Sequence, residues 1–188
     1  MQPDLQTISA VTLVIGSIIF GLGAGITNQF WIEPTPEAKL KWLQAHPRVW
    51  PVGQVGFGLG ASVAAMGLAL AAPHLQARGA GGWIYLAAAL ALLGVMPWDW
   101  QVWLRAIKPV DFVKGLLPSW LYPVYALLTI CALILIGAAL IQAGYPVWLG
   151  VLSIVYPLLL LVAYLVFHDL PPFTYYLLTL VIGIVMLS

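Results

Sequence analysis

Few side chains in this sequence could do chemistry, and most of those fall where apolar runs end. Asp99 follows Pro97 and is flanked by Trp98 and Trp100, while His168-Asp169 stands just ahead of Pro171-Pro172. A carboxylate and an imidazole brought together could move a proton or hold a metal, with Glu33 or His46 converging on the same place. The catalytic candidates are therefore Asp99, His168 and Asp169. Ordinary roles compete for each of them. Asp99 suits an interfacial carboxylate paired with Arg48 or Arg105. Asp169 suits the N-cap of a following helix whose first turn tolerates proline, and His168 suits the negative end of the preceding one.

Other chemistries lack their residues. No Glu-x-x-His, His-x-x-x-His or Asp-x-x-x-Asp spacing lies on an apolar run, so no metal site is expected. A Gly-x-Ser-x-Gly elbow and a phosphate loop are both missing. Haem held between two helices needs a histidine well inside an apolar run, and His46, His74 and His168 are terminal or in loops. A retinal Schiff base needs a lysine in such a run, and none is there. A chlorin near an interface stays open, and the cofactor is left unassigned.

The composition decides which elements must position these groups. Of 188 residues, 63% are hydrophobic and 7% charged, with mean hydropathy +1.02, far from the usual globular share of about 25% charge. So little charge cannot clothe a water-soluble domain. Lys plus Arg number 7 and Asp plus Glu 6, a net charge of +1, which gives no polyanion-binding surface and argues against nucleic acid as a partner. Cys131 is the one cysteine, so an intrachain disulfide is impossible.

In a bilayer every backbone polar group must be satisfied internally, so apolar runs near twenty residues read as spanning helices. Such runs cover about 8–28, 50–72, 82–100, 119–143, 147–167 and 172–188. The fold class is all-α: a polytopic membrane protein built as one domain, a six-transmembrane-helix bundle with short interfacial helices. Met1–Asp4 has no basic region and the first run no small-residue cleavage pattern, so the first span is expected to be retained.

Thr35-Pro36-Glu37 is a helix start and His46-Pro47 a stop, with a short helix between them expected along the headgroups. A second interfacial stretch is expected after the third span, where Trp100, Trp103, Leu104 and Ile107 recur at i, i+3, i+4, i+7. With six crossings both termini share one side, face A. Lys39, Lys41, Arg48, Arg105, Lys108 and Lys114 then fall on face B, against Arg78 on face A. By the positive-inside rule face B is cytoplasmic and both termini are extracytoplasmic. Most tryptophans also lie near face B, as an interfacial belt or as an aromatic mouth for a flat or amphiphilic ligand.

Ser17, Gly21 and Gly25 repeat every four residues, as do Gly56, Gly60 and Ala64 with Gly67 nearby, so close packing of the first two spans is expected along these stripes. Pro157 should free the carbonyl of Ser153, which beside Tyr156 could line a cleft. The candidate ligand lining is Trp50, Gln54, Trp98, Asp99, Trp100, Ser153, Tyr156 and His168.

The segment Leu40-Lys41-Trp42-Leu43-Gln44-Ala45-His46-Pro47-Arg48-Val49-Trp50-Pro51-Val52-Gly53 resembles the first loop of uncharacterised bacterial multi-pass membrane proteins with a Leu-x-x-His-Pro-x-x-Trp-x-x-Gly pattern. That resemblance implies a bacterial six-helix protein without an assigned reaction, and a bacterial inner-membrane location is expected for the chain. The expected function is a membrane subunit or binding protein for a lipid, a pigment or another hydrophobic ligand, or for a membrane-protein partner or a second copy. A small enzyme on a lipid or isoprenoid substrate, or a substrate-binding transport component, are the alternatives.

Overall fold

A computed structural model describes residues 4–167 and 172–188. Among these residues all regular structure is helical: α1 (Leu5–Ile26), α2 (Asn28–Ile32), α3 (Pro36–Ala45), α4 (Val49–Ala77), α5 (Ile84–Ile107), α6 (Pro109–Val113), α7 (Leu121–Gln142), α8 (Val147–Phe167) and α9 (Phe173–Leu187). By length and composition α1, α4, α7 and α8 are long and apolar enough to cross a membrane. The outward rows of these helices are apolar too, as at Ile15, Ile18 and Leu22 of α1 and Leu159, Val162 and Val166 of α8. Such a surface suits hydrocarbon rather than water.

The long helices follow one another around the bundle. α1 packs on α4, α4 on α5, α5 on α7 and α7 on α8, while α9 returns to α1. Gln6 Nε2 donates to the carbonyl of Met186 at 2.6 Å, so the start of α1 and the end of α9 lie together at face A. Tyr156 Oη donates to the Thr174 carbonyl at 3.3 Å, joining α8 to α9. Inside, Trp98 stacks on Tyr125 with ring centres 4.6 Å apart, Phe20 stacks on Tyr176 at 3.8 Å, and Tyr125 Oη donates to Tyr176 Oη at 3.0 Å. This chain of rings ties α5, α7, α9 and α1 through the middle of the bundle. Alanines of α4, α5 and α7 surround it and leave a void of only about 20 Å³.

The α1–α4 seam runs on small residues, but not with the phase expected on α1. A side chain at Gly60 would run into the backbone of Phe20, one at Gly16 into Ala64, and a Cβ at Gly23 would stand 2.8 Å from the carbonyl of Gly53. Gly21 and Gly25 face open space. Ser17 is buried toward α9 instead, its Oγ 2.9 Å from Thr179 Oγ1. Hydroxyl pairs between membrane helices contribute about 0.6 kcal/mol on average. Ser17→Ala is expected to lower stability in detergent by about that amount, and to have almost no effect when Thr179→Val is already present. A double-mutant thermal melt checks it.

The third long helix continues past its expected end. α5 runs through Pro97 to Ile107, about 36 Å at 1.5 Å per residue. Proline removes the bond to the Leu93 carbonyl, yet the helix is held beyond it because Trp98 is fully buried and its Nε1 donates to the carbonyl of Phe57 at 3.2 Å. The stretch from Trp100 to Ile107, expected as a separate interfacial helix, is therefore the end of α5. The short α6 follows it, with Pro109 at its start.

α3 forms as expected, with Thr35 Oγ1 accepting from the Ala38 amide at 3.2 Å. It folds against α6 at face B, where Phe30, Trp42, Leu43 and Trp50 form a second core with Phe112 against it. At face A, Arg78 Nε donates to the Ala143 carbonyl at 3.0 Å, and its guanidinium lies 4.5 Å from the Tyr145 ring centre. Burial raises the Tyr145 phenol above its ordinary value, whereas the Thr7 amide lowers the exposed Asp4 carboxyl that caps α1.

Candidate functional site

Two openings interrupt the packing near face B, and they lie on different sides of α5. Trp98, Gln101 and Arg105 recur at i, i+3 and i+7 and so share one stripe, turned into the bundle. Asp99, Val102 and Trp103 share another, turned toward α4 and the outer surface.

The inner opening is a cavity of about 450 Å³. Trp31, Phe57, Trp98, Tyr122 and Phe173 give it an aromatic wall, and Asn28, Gln101 and Arg105 give it polarity. Trp31 is held by its Nε1 donating to Thr27 Oγ1 at 3.1 Å. The Arg105 side chain is 7% exposed, with its guanidinium carbon 4.5 Å from the Phe112 ring centre, 5.3 Å from Trp98 and 5.7 Å from Trp31. A cation set among ring faces is stabilised by their quadrupoles, more strongly where water is excluded. The Arg105 carbonyl in turn accepts from Trp50 Nε1 at 2.7 Å, which anchors the end of α5 to the start of α4. Gln101 is also 7% exposed, and among the described residues its Oε1 has no hydrogen-bond partner. The lining therefore offers a large apolar contact, a buried cation and an acceptor in want of a donor.

Compared with protein-family models, curated proteins and solved structures, the chain matches none. Its own geometry has to carry the functional reading.

The outer opening is a shallow groove of about 340 Å³ between α4 and α5. Gln54, Gly58 and Ser62, four residues apart on α4, form its floor on one side and Asp99 its wall on the other. Ser62 Oγ donates to Asp99 Oδ2 at 2.7 Å. Asp99 thus takes a serine of α4, in place of the expected Arg48 or Arg105.

The expected lining does not form a single pocket. Trp98 lines the inner cavity; Gln54 and Asp99 line the outer groove. Trp50 is buried beside Phe30 and Phe112 at the mouth. Trp100 is exposed and meets Trp120 edge-on at 5.8 Å. Ser153 is buried in the α7–α8 seam, its Oγ donating to the Leu149 carbonyl at 2.8 Å, and a Cβ at Gly137 would stand 2.8 Å from its own Cβ. Tyr156 serves the α8–α9 contact. His168 and Asp169 lie outside the described residues, so no meeting with Asp99 is established. Glu33 is half-buried and accepts from Gln29, and His46 stacks on Trp42. Among the described residues no group of three metal-ligating side chains occurs.

Trp31, Gln101, Arg105, Tyr122 and Phe173 were not among the expected lining. The stripe of Trp98, Gln101 and Arg105 carried a usable signal, since residues at i, i+3 and i+7 fall on one face of a helix. It is visible only if the helix is followed past Trp100 to Ile107.

Proposed function

We propose that this chain is an integral membrane protein of the bacterial inner membrane that binds a hydrophobic ligand with a polar head in the face B cavity. It acts alone or as a subunit of a larger membrane assembly. The observation that carries this is the aromatic-walled cavity of about 450 Å³ with Gln101 and Arg105 set into it. That volume lies within the range of sites for small ligands, which combine apolar walls with a few placed polar groups. The Arg105 charge favours an anionic or strongly polar head, and the Gln101 Oε1 favours one that also carries a donor.

In this proposal α5 and α9 cross as well, making six crossings. Face B, which carries Lys39, Lys41, Arg48, Lys108 and Lys114, is cytoplasmic. The ligand then enters from the inner leaflet, with its tail among Trp31, Tyr122 and Phe173.

Native mass spectrometry of protein released from gentle detergent tests the proposal. An amphiphile is expected to remain bound to the unaltered chain. Gln101→Leu keeps the volume but removes the acceptor, which should weaken binding roughly tenfold, the equivalent of about 1.4 kcal/mol. Retention of the same amphiphile by a Trp31→Ala, Phe173→Ala double variant with undiminished affinity would place the ligand elsewhere.

A further inference from the structure

We propose that the outer groove between α4 and α5 is a binding site for a monovalent alkali cation, with Asp99 and Ser62 as its direct ligands and Gln54 holding one of the waters that complete its coordination. The site is separate from the face B cavity and does not depend on it.

Asp99 stands eight residues before the end of α5, about 12 Å along the helix, so its carboxylate is set into the long apolar helix rather than in the loop beyond. A carboxylate at such a place is expensive unless a partner compensates it, and intramembrane ionisable residues mark ion or proton sites by default. Ser62 engages one oxygen, Oδ2. The other, Oδ1, is shielded from solvent and has no hydrogen-bond partner among the described residues. It points at a position on α4 that lacks a side chain: a Cβ at Gly58 would stand 3.2 Å from it.

One turn from Gly58 on the same stripe is Gln54, which is 1% exposed and, among the described residues, has neither Oε1 nor Nε2 hydrogen-bonded. A buried primary amide with no partner at all costs more than a typical hydrogen bond contributes, and proteins rarely leave one without a purpose. Gln54 and Asp99 Oδ1 therefore open onto one groove, each in want of a partner.

The chemistry of the set selects the ligand. Two carboxylate oxygens, a hydroxyl and a water held by an amide are hard oxygen donors, which suit alkali and alkaline-earth cations over softer metals. The set carries one negative charge. A monovalent cation leaves the groove neutral, whereas a divalent one would leave uncompensated positive charge beside hydrocarbon. A groove of about 340 Å³ admits the ion together with the waters that complete its coordination. Val55, Leu59 and Trp103 around it are exposed and apolar, so the ion would sit in a polar notch in a lipid-facing wall.

A lipid-soluble carbodiimide, which reacts with carboxyl groups reachable from the bilayer, tests this on the full chain in nanodiscs at one fixed, mildly acidic pH. Peptide mass spectrometry is expected to find the adduct on Asp99, and millimolar NaCl or KCl to slow its formation where choline chloride of equal ionic strength does not. Gln54→Ala is expected to raise the protecting concentration about tenfold, as loss of a supporting partner does. Gly58→Val, which fills the notch, is expected to abolish protection. Variants are compared only where size-exclusion profile and melting temperature match the unaltered protein. Asp99 labelling indifferent to all alkali salts would overturn the proposal, and so would failure of Asp99 to label at all.

Discussion

Trp98→Ala is expected to lower the stability of the bundle by about 3 kcal/mol, or roughly 10 °C in melting temperature in detergent. Trp98 is fully buried, stacks on Tyr125, lies 5.9 Å from the Phe20 ring centre and bonds the Phe57 carbonyl. Its loss separates α5 from α4, α7 and α1 at once. Apolar groups leaving a membrane bundle enter lipid, not water, so the transfer part of the usual cost shrinks. The cavity and the lost dispersion contacts remain. Trp100→Ala, two residues on and exposed, should change the melting temperature by no more than a surface substitution does, about 0.5 kcal/mol. Equal effects from the two tryptophans would mean that α5 is rotated from the orientation described.

Gly60→Leu is expected to cost as much or more, about 3 kcal/mol, because the obstacle is backbone. A Cβ there would stand 2.7 Å from both the Cα and the Cβ of Phe20, and neither can move without displacing α1. Gly21→Leu, with nothing within 4 Å, is the matched control and should leave the protein unchanged. Paired melts of the two variants check both statements. A harmful Gly21→Leu would restore the face of α1 inferred from the spacing of Ser17, Gly21 and Gly25.

That reversal of faces shows where the sequence stops being informative. In water, apolar residues separate the inside of a helix from its outside. In a bilayer both sides are apolar, and the inward face of α1 differs from the outward one mainly in the size of its residues. Gly16 and Gly23 pack on α4 while Gly21 and Gly25 do not, although all are glycines in one run. Only the position of the neighbouring helix distinguishes them. Helix type and the extent of α8 were legible because long uncharged runs have few alternatives when backbone groups cannot turn to water.

The candidate site was legible in its pieces more than in its assembly. Gln54, Trp98 and Asp99 all line an opening, yet Trp98 and Asp99, one residue apart, line different ones. A helix turns about 100° per residue, so adjacent residues seldom serve one pocket. The apolar run stops near residue 100, whereas Trp98, buried just beyond Pro97, holds the helix together to Ile107. Once α5 is continuous, Arg105 moves from the loop to the cavity and Asp99 from the rim to the groove between α4 and α5.

The most direct test is the sidedness of the chain. With Cys131 replaced by alanine, single cysteines at Asp4, Lys39, Arg78, Lys114 and Ser188 are exposed in inverted and right-side-out vesicles to a maleimide that does not cross the bilayer. Six crossings with a cytoplasmic cavity mouth predict labelling of positions 4, 78 and 188 from outside and of 39 and 114 from the cytoplasmic side. Labelling of positions 4 and 188 from opposite compartments would contradict it.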